Sequence, residues 1–121
     1  MSIGAAPGRS LVTIPVTVTA NEVVPAAVQV LGGDAVEWHA AGVEIRIYFP
    51  DESIFVPGAH RPTPEGGVDI TIPAGGTDSL TIAATAQGTH GYEVFHHAGK
   101  VWLQVNGGTD PTLIIGRMSR P

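Results

Sequence analysis

Five histidines carry most of the chemistry this chain could offer: His39, His60, His90, His96 and His97. Neutral imidazole ligates zinc and copper, and it titrates near neutral pH. His96 and His97 are sequence neighbours, so on an extended strand they project to opposite faces and cannot grip one ion together. His90 stands six residues before His96, about 20 Å away along a strand at roughly 3.3 Å per residue. A histidine-based copper or zinc site therefore needs His96 or His97 to meet a partner from elsewhere in the fold. His60, His39 and Asp110 are the candidates. No local H-x-H pair is present.

Other reactive groups are thinner still. The chain has no Cys, which removes disulfides, thiolate ligands and cysteine nucleophiles. Ser10, Ser53, Ser79 and Ser119 have no G-x-S-x-G elbow around them. Asp51 and Glu52 are adjacent in a loop, whereas a glycosidase needs two carboxylates facing a cleft from about 5 to 9 Å apart. "GGDAVEWHAAG" and "GGTD" lack the helix that a phosphate-binding glycine loop must open. Neither an enzyme nor a bound cofactor is expected.

Whether the histidines meet depends on the elements that carry them. Apolar residues recur with a period of two almost everywhere, which marks half-buried strands. In "LVTIPVTVT" Val12, Ile14, Val16 and Val18 share one face, and Pro15 on the other argues for an edge position because it cannot donate to a ladder. "VVPAAVQV", "AVEWH", "VEIRIYF", "VDITI", "SLTIA", "HGYEVFHH", "KVWLQV" and "TLIIG" continue the pattern. Trp38 and His39 fall on opposite faces, so a core Trp38 sends His39 outward. By the same alternation Tyr92, Val94 and His96 share one face of a strand over 89–97, with Glu93, Phe95 and His97 on the other.

No segment has helical periodicity. About nine short strands, with 16 Gly and 10 Pro between them, predict an all-β Greek-key sandwich. The domain should span residues 11–116, between an N-terminal arm at 1–10 and a C-terminal tail at 117–121. One long irregular connection runs through residues 50–67. The expected core is Val16, Val18, Val28, Trp38, Ile45, Ile47, Ile70, Ile72, Leu80, Ile82, Tyr92, Val94, Leu103 and Ile114.

At 121 residues the chain suits one domain able to bury a core unaided. Net charge is -5, with six Lys and Arg scattered along the chain, so nucleic acid and anionic membranes are not expected as partners. No apolar run approaches the roughly 20 residues of a membrane span, and no signal segment is visible, which points to a cytoplasmic protein. Charged residues make up only 14% of the chain, against about 25% in an average soluble domain. Either the outer faces are neutral β surface or some of them are covered in an assembly.

The run "VQVLGGDAVEW" resembles the strand, Gly-Asp turn and strand-Trp of cupredoxins. "PAGGTDSLTIAATAQGTHGYEV" is similar to their later segment, where a turn leads through a strand to a Gly-Tyr. The resemblance covers residues 24–105 and implies a cupredoxin-like sandwich. It does not imply blue-copper activity. A type 1 centre requires a Cys thiolate with two His and usually an axial Met, and here there is no Cys. The family's first His would fall near Gly42, Val43 and Ile45, and its remaining ligands after Gly91-Tyr92, where this chain has Glu93-Val94-Phe95-His96-His97. Neither Met1 nor Met118 stands where the axial ligand would.

The expected role is therefore a non-catalytic structural or interaction module whose partner is its own copy or another protein subunit. Phe95 and Trp102, rimmed by Glu93 and Gln104, form the expected interface on one face of a hairpin. Histidine-based metal binding is the alternative.

Overall fold

The structure, a computed structural model, describes residues 12–56, 67–108 and 110–116. The expected arm at 1–10, the tail at 117–121 and His60 lie outside the described residues. So does most of the long connection.

Eleven strands are described: β1 (Thr13–Val18), β2 (Val23–Val24), β3 (Ala27–Leu31), β4 (Ala35–Ala40), β5 (Ile45–Phe49), β6 (Val68–Ile72), β7 (Thr77–Thr81), β8 (Gly88–Gly91), β9 (Glu93–Ala98), β10 (Val101–Gln104) and β11 (Thr112–Gly116). Among the described residues helix is limited to short 3-10 turns at Glu52–Ile54 and Val105–Gly108. No helix among the described residues is long and apolar enough to cross a membrane. The sheets run β2-β1-β4-β7, β10-β9-β5-β6 and β3-β11-β8. β1 pairs parallel with β4, and β3 pairs parallel with β11. This is the expected all-β architecture.

Two of the nine anticipated strands each break in two. "VVPAAVQV" divides at Pro25, so that β2 joins β1 while β3 joins β11. "HGYEVFHH" divides at Tyr92, so the strand expected over 89–97 is two elements. β8 pairs with β11, and β9 pairs with β5 and β10. Pro15 sits opposite Glu37 in the β1–β4 ladder. The carbonyls of Val12 and Val18 accept from Ala35 and Ala41, so even-numbered residues of β1 face β4. The donor Pro15 lacks thus lies on the flank, where β2 reaches only Thr17 and Val18.

Asp34 closes the Gly-Gly-Asp turn. Its buried carboxylate accepts from the backbone N–H groups of Leu31 (3.1 Å) and Val12 (3.2 Å), tying the start of β1 to this turn. Gly32 is required there, because a Cβ would stand 2.7 Å from the Ala84 carbonyl oxygen.

The core follows the alternation. Val16, Val18, Val28, Trp38, Ile45, Ile47, Ile72, Leu80, Ile82, Tyr92 and Val94 are buried. Three expected members are not. Ile70 is only half-buried and packs against the rim of the core. On β11 the inward positions are Leu113 and Ile115, which sends Ile114 to the other face, where it lines an open cleft of ≈ 600 Å³ with Val12, Ile14 and Val30. Leu103 is 48% exposed. It has the inward parity, but at its end of β10 nothing among the described residues covers it.

Candidate functional site

The β9–β10 hairpin gathers most of the residues singled out from the sequence. Its loop is Gly99-Lys100, with Gly99 at φ 65, the glycine-first arrangement of a two-residue II′ connection. The ladder runs without interruption through Ala98↔Val101, His97↔Trp102, His96↔Leu103 and Phe95↔Gln104. On the other side β9 pairs with β5 through Ile45↔His96, Arg46↔Phe95, Ile47↔Val94 and Tyr48↔Glu93.

Alternation across these pairs places Glu93, Phe95, His97, Trp102 and Gln104 on one outer face, with Arg46 and Tyr48 beside them. All are half-buried. The His97 ring lies 4.8 Å from the Trp102 ring at 50°, and its Nδ1 is 3.8 Å from Glu44 Oε1. The His97 backbone N–H donates to the Glu44 carbonyl at 3.0 Å. Arg46 donates through Nε to both carboxylate oxygens of Asp69, at 2.9 and 3.0 Å, and its Nη2 pairs with Oδ2 of the same group. That hydrogen-bonded carboxylate holds the Arg46 guanidinium above its ordinary pKa. Gln104 donates through Nε2 to Asp110 Oδ1 at 2.8 Å.

The opposite face of the hairpin is apolar and open at its outer edge. Val94 is buried, His96 is half-buried between Ile45 and Leu103, and Val101 and Leu103 are 54% and 48% exposed. β10 ends the order β10-β9-β5-β6, so its far edge has no ladder partner among the described residues.

His96 and His97 occupy opposite faces. His39 stands half-buried beside core Trp38, between Thr17 and Thr77 in the ladders. His90 Nε2 lies 3.0 Å from the Gln87 carbonyl oxygen, and Asp110 is taken by Gln104. Among the described residues no group of three or more His, Cys, Asp or Glu could hold a metal ion. The donor set does not fit a type 1 copper either. That centre depends on a thiolate the sequence lacks, and the segment after Tyr92 is consumed by a closed hairpin ladder.

Sequence reasoning missed the pairing of His97 with Glu44 and the exposure of Val101 and Leu103. The second was not visible in "KVWLQV", whose alternation sets Val101 and Leu103 inward whether or not a sheet covers them. It also missed the bond from Trp38 Nε1 to Tyr92 Oη at 3.2 Å, within a cluster where Phe49 lies 5.6 Å from Trp38 and 4.6 Å from Tyr92. Burial raises the Tyr92 phenol to a pKa of about 12, against a smaller opposing effect of the Trp38 hydrogen bond.

No protein-family model and no curated protein matches the sequence. Solved structures share the fold. An oxidised amicyanin mutant superposes with a TM-score of 0.57 at 16% identity, covering 85% of this chain and 81% of its own. A Cu(I) amicyanin mutant gives 0.58 at 14% identity, with the same coverage of 85% and 81%. Auracyanin B gives 0.52 at 14% identity, covering 89% of this chain and 91% of its own. The fold is that of the cupredoxins, here without the copper-ligand cysteine.

Proposed function

We propose that this chain is a contact module built on the cupredoxin fold, which self-associates or serves as a subunit of a larger assembly and carries no type 1 copper. Its partners are protein surfaces, and no cofactor takes part. The β9–β10 hairpin supports this reading. Its outer face carries Phe95, His97 and Trp102 within a polar rim of Glu93, Gln104 and Glu44, an arrangement typical of interface centres. Large aromatics dominate such patches because each buries on the order of 150 to 250 Å². Light scattering across a concentration series tests it. The expected result is an oligomer that Phe95→Ala and Trp102→Ala each weaken, the latter by about 2 kcal/mol or more. An oligomer indifferent to both substitutions overturns the role of this face.

A histidine-based copper or zinc site is the second reading. It is favoured by the fold neighbours, one of which is described as a Cu(I) form. It would start from His97 and Glu44, whose donor atoms already stand 3.8 Å apart. Titration with Cu(II) and with Zn(II) separates the readings. The contact module takes up neither ion at one equivalent, whereas saturation at one equivalent that is lost in His97→Ala establishes the second reading. Neither produces intense blue absorption, since the thiolate is missing.

A further inference from the structure

Among the described residues the far edge of β10 has no ladder partner. We propose that two copies of this chain join by antiparallel addition of β10 to β10 about a two-fold axis through Trp102, which would merge their four-stranded sheets into one of eight. The inference rests on the contact-module reading and specifies its partner and register.

Three observations carry it. The first is backbone direction. In a two-residue hairpin the residues flanking the loop exchange hydrogen bonds, and the ladder then alternates between bonded and non-bonded pairs. Ala98↔Val101 flanks the loop, so the N–H and C=O of Val101 and Leu103 are turned toward β9. Those of Lys100, Trp102 and Gln104 point out of the sheet. An edge with such unpaired groups is a template for another strand.

The second is register. Antiparallel pairing about an axis at Trp102 sets Trp102 against Trp102 of the second copy, Val101 against Leu103, and Lys100 against Gln104. All members of these pairs keep their own face, as sheet alternation requires. The two most exposed apolar side chains of the hairpin, Val101 and Leu103, then cover each other twice. On the outer face the two Trp102 rings extend the His97–Trp102 stack across the axis.

The third is charge. Lys100 is an exposed cation, and in this register it meets Gln104, whose amide already holds the exposed carboxylate of Asp110. Each copy places one cation beside one anion of the other, and the axis repeats the pair. Edge strands that avoid association usually carry an inward charge, a proline or a bulge. Val101–Gln104 has none of these.

Because the chain has no cysteine, single introduced thiols report on the register. Val101 and Leu103 of two copies form a non-bonded antiparallel pair, with Cα atoms about 4.5 Å apart, inside disulfide range. Either residue lies about 7–8 Å from its own symmetry mate, past the usual reach. Under diamide, an equimolar mixture of Val101→Cys and Leu103→Cys should form cross-linked dimer about tenfold faster than either variant alone. Both sites are exposed, and far-UV circular dichroism verifies that the variants fold. In sedimentation, Lys100→Glu should weaken the dimer by about threefold to tenfold, and adding Asp110→Lys should restore it. A monomer at high micromolar concentration overturns the proposal, as do cross-links no faster in the mixture than in the single variants. An oligomer weakened by Phe95→Ala without a mixture preference removes the edge pairing and leaves the contact reading standing. A dimer with the mixture preference that ignores Phe95→Ala keeps the edge pairing and removes the outer aromatic face from the contact.

Discussion

Tyr92, the residue before β9, and Trp102, on its hairpin partner β10, stand on neighbouring segments, yet one is 1% exposed and the other only half-buried. Alternation fixes which face each side chain takes, but burial is decided by whether another sheet lies across that face. At Tyr92 it does. Trp38 from β4 closes over the ring at 5.8 Å, Phe49 stacks on it at 4.6 Å, and Phe55 packs on Phe49 at 4.8 Å. At the hairpin's far end β10 overhangs the core. There the inward residues Val101 and Leu103 remain in solvent and the outward Trp102 rests on His97. The molecule therefore has a sealed aromatic end and an open apolar end, joined by strand β9.

The sharpest way to break this contrast is to truncate the sealed end. Trp38→Ala removes a fully buried indole and strands the Tyr92 hydroxyl. The expected loss is about 3–5 kcal/mol, a large part of a typical domain's stability. Urea denaturation followed by far-UV circular dichroism measures it. A loss below about 1 kcal/mol would mean that Trp38 does not sit in a packed core.

A smaller effect comes from the pH dependence of the same cluster. The Tyr92 phenol is raised from 10.0 to about 12, mainly by burial. Below pH 10 both folded and unfolded chains keep the proton, so the group's contribution is fully present. Between pH 10 and 12 the unfolded chain loses the proton and the folded chain retains it, so stability falls as pH rises. The fall is roughly 2–3 kcal/mol by pH 12, since each tenfold difference in proton affinity between the two states is worth about 1.4 kcal/mol. Tyr92→Phe should remove that slope. At neutral pH it should cost about 1 kcal/mol or somewhat more, because the Trp38 N–H loses its acceptor. Equal alkaline slopes in the two proteins would contradict the buried phenol.

Much of this was legible in the sequence, and the limits have identifiable causes. The alternation in "AVEWHAA" and "VEIRIYF" correctly assigned Trp38, Ile45 and Ile47 to the core, because a strand with polar residues on one face has only one way to bury the other. "TLIIG" offers apolar side chains to both faces, so parity alone could not choose between Ile114 and the pair Leu113 and Ile115. The choice was made by pairing with β3 and β8. Leu103 has the right parity, but coverage depends on how far the opposing sheet extends, a tertiary property that no local pattern encodes. The break at Tyr92 was hidden for a similar reason. β8 and β9 read as one strand because their backbone is continuous, and only the change of partner from β11 to β5 separates them. Of the site, the face shared by Glu93, Phe95, Trp102 and Gln104 followed from alternation and hairpin register. The contact between His97 and Glu44 did not, since it joins β9 to the residue before β5, far away along the sequence.

The smallest expected effect is the most informative about the open end. Trp102→Ala deletes as large a side chain as Trp38→Ala, from the same fold, but from a face that no other sheet covers. In the isolated chain, held at low concentration so that association does not contribute, the indole is half-buried and lies 4.8 Å from the His97 ring. The expected cost to unfolding is about 1–2 kcal/mol, below that of Trp38→Ala, because the indole is only half-buried. Measured against Trp38→Ala under the same conditions, the ratio of the two losses reports how much of each indole the fold buries. A loss from Trp102→Ala approaching that from Trp38→Ala would show that the monomer itself covers the outer face of β10. That face would then be closed to a partner.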